Sequence, residues 1–459
     1  MSANQLKKTF LNKSEVKAMD AEHKRKLSFN IGKYNDVVVK GKQQFSDLGA
    51  ARKTAKNTKW KSIENLDKYL IEFEQKFTAN GGKVIWANDA KEANEAVLEI
   101  CKKHDAKQVV KSKSMVTEEI HLNDFLEKNN IESVETDLGE YIQQLDGEAP
   151  YHIVTPAMHK SKEDVAKLFH EKLGTEPNLT PSELTLVARR NLRAKYLSAE
   201  VGVTGGNFLL ADVGGVCVTE NEGNGRLTTA FPKVHIAIVG IEKMLPSIND
   251  LNLYWPLLST FGTGQNVTVY NTIFTGAKKA NEVDGPEEMY VILLDNGRTN
   301  LMTDPNVRES MYCIRCGSCL NACPVYKNIG GHAYGATYSG PIGSVITPHL
   351  KDFDEYNHLS YASTLCGNCT EVCPININIH GMLHYNRTLA VNKHDTDFIE
   401  NTTWKMWRVA MTHRSMVDVA GAGLKGKLVN SIFKNSWGKR RDELEFHTSF
   451  KQQFADRKK

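Results

Sequence analysis

Several absences narrow this 459-residue sequence before any motif does. No stretch approaches the roughly eighteen consecutive apolar residues of a membrane-spanning helix. The opening residues, MSANQLKKTFLNKSEVKAMD, lack the apolar core of a secretory signal. The formal net charge is only +4, too mild for the basic stripe of a nucleic-acid-binding surface. No G-x-G-x-x-G stands between a strand and a helix, and there is no Walker loop, so a nucleotide reading lacks support. Together these absences lead us to expect a cytoplasmic chain with no transmembrane segment and no nucleic-acid partner.

What the sequence does hold is cysteine in one place. Of nine cysteines, seven crowd between positions 313 and 373. A secreted disulfide framework spreads its cysteines over a small chain; clustering in a large one favours metal. The two runs are CIRCGSCLNACP (313–324) and STLCGNCTEVCP (363–374). A shift of fifty positions lays Cys316, Cys319, Cys323 and Pro324 on Cys366, Cys369, Cys373 and Pro374, and Cys313 on Ser363.

The spacing C-x2-C-x2-C-x3-C-P wraps three thiolates around one iron–sulfur cluster and sends the fourth to its neighbour. The proline ends the loop, and Gly317 and Gly367 sit where the backbone must turn sharply. This crossing rule assigns Cys313, Cys316, Cys319 and Cys373 to one cluster. Cys323, Cys366 and Cys369 fall to the second, whose fourth position lands on Ser363. The expected cofactors are two [4Fe-4S] clusters. The second is open to a [3Fe-4S] form or a non-cysteine ligand: Ser363 oxygen, water, or one of His332, His349, His358, His380 and His384. Paired CxxC also occurs in zinc sites, but neither this spacing nor its tandem repeat is a zinc-ribbon pattern. A purely structural cluster is the other plain alternative. Cys101 and Cys217 lie in apolar surroundings and read as small buried hydrophobes.

The remainder divides into four segments. Residues 1–65 read as a solvated helical arm, with Lys7, Lys8, Lys13, Lys17, Lys24 and Lys26 among acids and polar residues. Residues 66–300 alternate helix and strand patterns, which predicts an α/β domain with a largely parallel sheet. KVIWA, QVVKSK, HIVTP, HIAIVGIEK and MYVILLD read as strands. Asp89, Ser161 and Thr180 read as helix starts, the last with Pro181 and Glu183 completing a capping box. DNGRTNLMTD (295–304) is turn-rich and reads as a linker. Residues 301–385 form a helical two-cluster ferredoxin-type domain, because the insert between the runs is too long for a hairpin. Within it, HAYGATYSGPIGSVITPHL (332–350) is expected to cover a cluster. Residues 386–459 are basic and helical, and Trp404, Trp407 and Trp437 are expected to pack on the protein or a partner.

In the α/β domain, Glu220, Glu222 and Arg226 follow a strand at a plausible pocket rim. A glutamate there serves as base or nucleophile, or simply belongs to a polar loop. His235 begins a strand and reads as structural.

The paired runs, with YSGPIGSVITP between them, resemble the lactate utilization protein B family. KSMVTEEIHLNDFLE, TDLGEYIQQL, HIVTPAMHK and the 201–243 stretch resemble its lactate-utilization domain, similar in fold to ribose-5-phosphate isomerases and CoA transferases. The 386–459 stretch resembles the family's basic tail. The resemblance implies an iron–sulfur electron-transfer protein that works with lactate utilization proteins A and C to oxidise L-lactate to pyruvate. It implies Cys313, Cys316, Cys319, Cys323, Cys366, Cys369 and Cys373 as the cluster cysteines. The family also lacks a cysteine where Ser363 stands, and it supplies no catalytic residue for the α/β domain.

Overall fold

A computed structural model describes residues 2–393, 398–413, 416, 421–432, 445–448 and 450–457. The chain forms two compact units, Met1–Arg387 and Thr388–Lys459.

The first unit is built on ten strands: β1 (Lys83–Ala87), β2 (Gln108–Lys111), β3 (Glu132–Glu135), β4 (Val201–Thr204), β5 (Phe208–Leu210), β6 (Gly215–Glu220), β7 (Val234–Gly240), β8 (Met244–Leu245), β9 (Tyr270–Phe274) and β10 (Glu288–Leu294). Six of them form one parallel sheet in the order β1-β10-β7-β4-β2-β3. The central β7 reads VHIAIVG and is buried throughout, as a strand covered on both faces must be. Strands β8-β5-β6-β9 make a smaller mixed sheet, with β5 and β6 as an antiparallel pair.

Local signals set the helix starts. Asp89 accepts from the Glu92 N–H (2.9 Å), and Ser161 and Thr180 each close a capping box. Pro181 opens the 18-residue helix Pro181–Ser198, where its missing N–H costs nothing.

Three expectations are corrected by the structure. HIVTP is not a strand but a run of bends and turns. His152 Nδ1 accepts the N–H groups of Val154 (3.1 Å) and Thr155 (3.2 Å), taking donors that a ladder would use. The arm is not simply solvated. Helix Ala21–Gly41 buries His23, Leu27 and Ile31, and Lys26 pairs with Asp164 at 2.6 Å. Helix Leu48–Glu64 reaches the second cysteine run: Arg52 donates to the carbonyls of Cys373 (2.9 Å) and Glu371 (2.8 Å). The segment 295–304 is no loose linker either. Arg298 within it is fully buried, held by Glu119 (2.9 Å) and Glu242 (2.6 Å). Strand β3, ESVE, escaped the sequence pattern because two of its polar residues, Ser133 and Glu135, are buried. Its Glu135 pairs with the fully buried Lys111 of β2 at 2.6 Å.

The second unit contains helices Phe398–Thr412, Ala422–Ile432 and Phe450–Asp456. Trp404 and Trp407 are exposed on this chain; Trp437 lies outside the described residues.

Candidate metal centre and the cleft beside it

The fifty-residue repeat is also a backbone repeat. Arg315 and Leu365 both adopt positive φ (60° and 54°), as do Gly317 (80°) and Gly367 (82°). A side-chain-bearing residue rarely enters that region, so its recurrence at matched positions marks a constrained loop. Each loop then turns into a short helix, Ser318–Ala322 or Asn368–Glu371. The match extends to the substituted position. The Arg315 N–H donates to Cys313 Sγ (3.4 Å), and the Leu365 N–H donates to Ser363 Oγ (3.1 Å). Ser363 therefore presents its oxygen in the loop as Cys313 presents its sulfur.

The sulfurs sort into two neighbourhoods. Cys313, Cys316, Cys319 and Cys373 line one cavity, walled by Ile153, Ile314, Ile342, Ile375, Ile377 and Ile379. Burial pushes the Cys373 thiol up to about 12, with the Cys316 sulfur adding to the effect. Burial likewise lifts Cys369 to about 11, with Cys323 and Cys366 as its sulfur neighbours. Cys366 is exposed, and the Asn368 N–H lowers its thiol below the usual range. Backbone N–H groups of Tyr326 and Ile377 aim at the sulfurs of Cys323 (3.5 Å) and Cys373 (3.4 Å). Thiols converging on an apolar cavity, with N–H donors aimed at sulfur, are the donor set that an iron–sulfur cluster needs. Ile342, from the segment expected to cover a cluster, lies in that wall.

Most of the nearby histidines have other partners. His332 donates to the Ala149 carbonyl (2.7 Å), His349 to Asn386 Oδ1 (2.9 Å) and His358 to the Glu355 carbonyl (3.0 Å). His380 bonds Thr370 Oγ1 (2.8 Å), on the second loop's helix. His384 lies one turn beyond on helix Ile379–Asn392. Cys101, Cys217 and His235 are fully buried, as structural residues should be.

A cleft of about 380 Å³ opens where the parallel strands end at their carboxyl edges. Ser112–Ser114 follow β2, Asp137 follows β3, Gly205–Asn207 follow β4, and Glu220 and Glu222 close β6. Lys243 comes from the turn after β7, and Arg315 and Cys316 from the first cysteine run. Glu220 is occupied: its carboxylate accepts the N–H groups of Gly225 (2.7 Å) and Arg226 (2.9 Å). Glu222 accepts the Leu138 N–H (3.1 Å). Arg226 does not line the cleft and stacks on Tyr270 at 5.4 Å.

Lysines gather behind the first run. Lys59 donates to the carbonyls of Glu242 and Met244, and burial drops its ammonium to about 7. Burial also lowers Lys243, to about 8. Neither Lys59 nor Lys243 was legible as a site residue, because nothing in their neighbours along the chain marks them as buried.

Comparison with known proteins resolves the two halves. Residues 70–294 match the LUD domain and residues 309–377 match the 4Fe-4S dicluster domain. Lactate utilization protein B of Bacillus subtilis (strain 168) is 44% identical over 356 residues, covering 75% of this chain and 74% of its own. The chain belongs to the lactate utilization protein B family. A further relative is the "uncharacterized electron transport protein YkgF" of Escherichia coli (strain K12), 40% identical over 80% of this chain and 78% of that one. Another is lactate utilization protein B of Geobacillus sp. (strain WCH70), 43% identical over 72% of this chain and 70% of that one. Within the family's architecture, the parallel sheet is the LUD domain and the two cysteine runs belong to the dicluster domain, whose cofactors are iron–sulfur clusters. Among the described residues, no helix is long and apolar enough to cross a membrane.

Proposed function

We propose that this chain is the iron–sulfur electron-transfer subunit of a complex that oxidises L-lactate to pyruvate, so that lactate serves as carbon and energy source. Lactate utilization proteins A and C are its proposed partners in the cytoplasm. The observation that carries the reading is the convergence of Cys313, Cys316, Cys319 and Cys373 on one cavity, with Cys316 also lining the cleft of the LUD domain. Cys313, Cys316, Cys319 and Cys373 would hold one [4Fe-4S] cluster; Cys323, Cys366 and Cys369 would hold the other, with Ser363 at the fourth place. Bound there, such clusters accept and release single electrons. The chain's own residues hold and insulate them. The isoleucine wall keeps water from the first set, and the N–H donors of Arg315, Tyr326 and Ile377 stabilise charge on sulfur.

Anaerobic purification, followed by iron and sulfide counts and low-temperature EPR, tests this reading. Eight irons per chain support two cubanes, and seven support a three-iron second site. A sample with no reducible cluster would remove the proposal.

A second reading rests on the cleft itself. Glu220 and Glu222, at and after the end of β6, line the cleft at the carboxyl edge of the parallel sheet, where an isomerase- or CoA-transferase-like enzyme would keep its base. Glu220→Gln with Glu222→Gln discriminates: lactate-dependent growth that persists in the double variant rules this reading out.

A further inference from the structure

Away from the cleft and the cysteines, three imidazoles gather around one tyrosine. Tyr151 stacks on His159 with 4.3 Å between ring centroids. It meets His332 edge-on at 4.9 Å and His23 at 6.0 Å. The chain can press this close because residues 330 and 331 are glycines; a Cβ at either would collide with Tyr151. His332 then opens the short helix His332–Tyr334, inside the segment that matches the dicluster domain. Glu148 and His159 come from the segment that matches the LUD domain.

One donor atom from each of Glu148, His159 and His332 lies within 4.8 Å of the other two. The hydrogen bonds leave these groups open to a cation. His332 Nε2–H donates to the Ala149 carbonyl (2.7 Å), so Nδ1 carries the lone pair and meets no partner among the described residues. A histidine tied to a carbonyl through one nitrogen and bare at the other is the usual state of a metal ligand. His159 Nε2 and Glu148 Oε2 stand 3.0 Å apart, near the roughly 3.3 Å edge of a tetrahedron of zinc ligands. Lys160 Nζ also reaches Glu148 Oε2 (3.1 Å), but Asp146 shares that ammonium. Glu148 Oε1 accepts no hydrogen bond among the described residues. His23 is engaged by the Tyr151 hydroxyl (2.6 Å) and stands outside the set. His159 lines a surface cleft of about 360 Å³ with Asp20, His23 and Asp146, which gives an ion a way in.

We propose that Glu148, His159 and His332 hold a zinc ion that joins the LUD domain to the insert between the cysteine runs. Two imidazoles and a carboxylate are a zinc donor set, and they leave a fourth position for water. The ion takes the place of the proton between His159 Nε2 and Glu148. The site is separate from both cysteine sets and stands whether or not the chain transfers electrons.

The test uses the full-length, anaerobically purified protein with its clusters in place. Calorimetric titration with Zn²⁺ should show one saturable site per chain, with iron content unchanged. Zinc K-edge absorption should give nitrogen and oxygen neighbours at about 2.0–2.1 Å and no sulfur at about 2.3 Å. His332→Gln, His159→Gln and Glu148→Gln should each weaken binding at least tenfold. His170→Gln, at an exposed histidine on helix Lys162–Leu173, should leave it unchanged. Zinc should raise the melting temperature of the unaltered protein and not that of His332→Gln.

Iron content and melting without zinc check that each variant is folded. Should a histidine variant lose its iron, Glu148→Gln, at a partly exposed side chain, carries the test. A sulfur shell would place the zinc on cluster cysteines and overturn the proposal. So would a nitrogen and oxygen site indifferent to these substitutions, a melting temperature that zinc leaves unmoved, or no saturable binding.

Discussion

Residues 313–323 and 363–373 follow the same backbone path, with matched left-handed residues, matched glycines and the same N–H aimed at the leading side chain. Their surroundings diverge. Cys316, Cys319 and Cys323 are buried, and the first run packs against isoleucines on one side and buried lysines on the other. In the second run Cys366 is exposed and a serine leads the loop. The N-terminal arm holds this second run by its carbonyls, through Arg52. Ligand spacing dictates the loop, since the chain must wrap a cuboid of fixed size. The electrostatic setting is dictated elsewhere, by whatever side chains the fold brings alongside.

The difference between the runs is open to attack. The largest expected effect comes from Cys319→Ser, which should cost about half of the bound iron and lower the thermal melting temperature, because Cys319 sits in the shared core. Cys366→Ser should lose only the second cluster's iron and hardly move the melting temperature. Equal melting losses in the two variants would break the comparison. Next comes Arg298, which anchors the carboxylates behind the first run. Arg298→Met strands two buried carboxylates and should cost about 3–5 kcal/mol in urea unfolding. A loss below about 1 kcal/mol would place that network in solvent.

A smaller effect is expected from Ser363→Cys. It should lengthen the oxygen lifetime of the second cluster several-fold and leave the first unchanged; an unaltered lifetime would argue that Ser363 does not face the cluster. The last effect, absent at neutral pH, lies outside both runs and serves as a control. His235, buried in the sheet, has its imidazole pushed down to about 3 by burial. The unfolded imidazole, near 6.5, takes up a proton that the folded one refuses. The stability is therefore fully present above about 6.5 and lost as pH falls toward 3, by up to about 1.4 kcal/mol per pH unit. His235→Asn should flatten that slope in pH-dependent denaturation curves without touching either cluster.

How far residues spoke for themselves depended on the range of the interaction. Capping at Ser161 and Thr180 is a three-residue affair, and it was legible. The parallel sheet followed from apolar runs such as VHIAIVG, whose burial needs no named partner. HIVTP misled, because a side chain two residues away took its backbone donors. Segment 295–304 misled as well, because Arg298 finds its carboxylates 56 and 179 residues away.

By itself, the sequence determined the cysteine spacing, the fifty-residue repeat, the serine at its head and the alternation that builds the sheet. These are local or periodic properties, and short-range geometry enforces them. Only the tertiary structure decided that a lysine after β7 and an arginine inside a cysteine run would share a cleft. It alone decided that the N-terminal arm would clasp the second run. Burial of a charge depends on partners brought from far along the chain, and no neighbouring residue announces them.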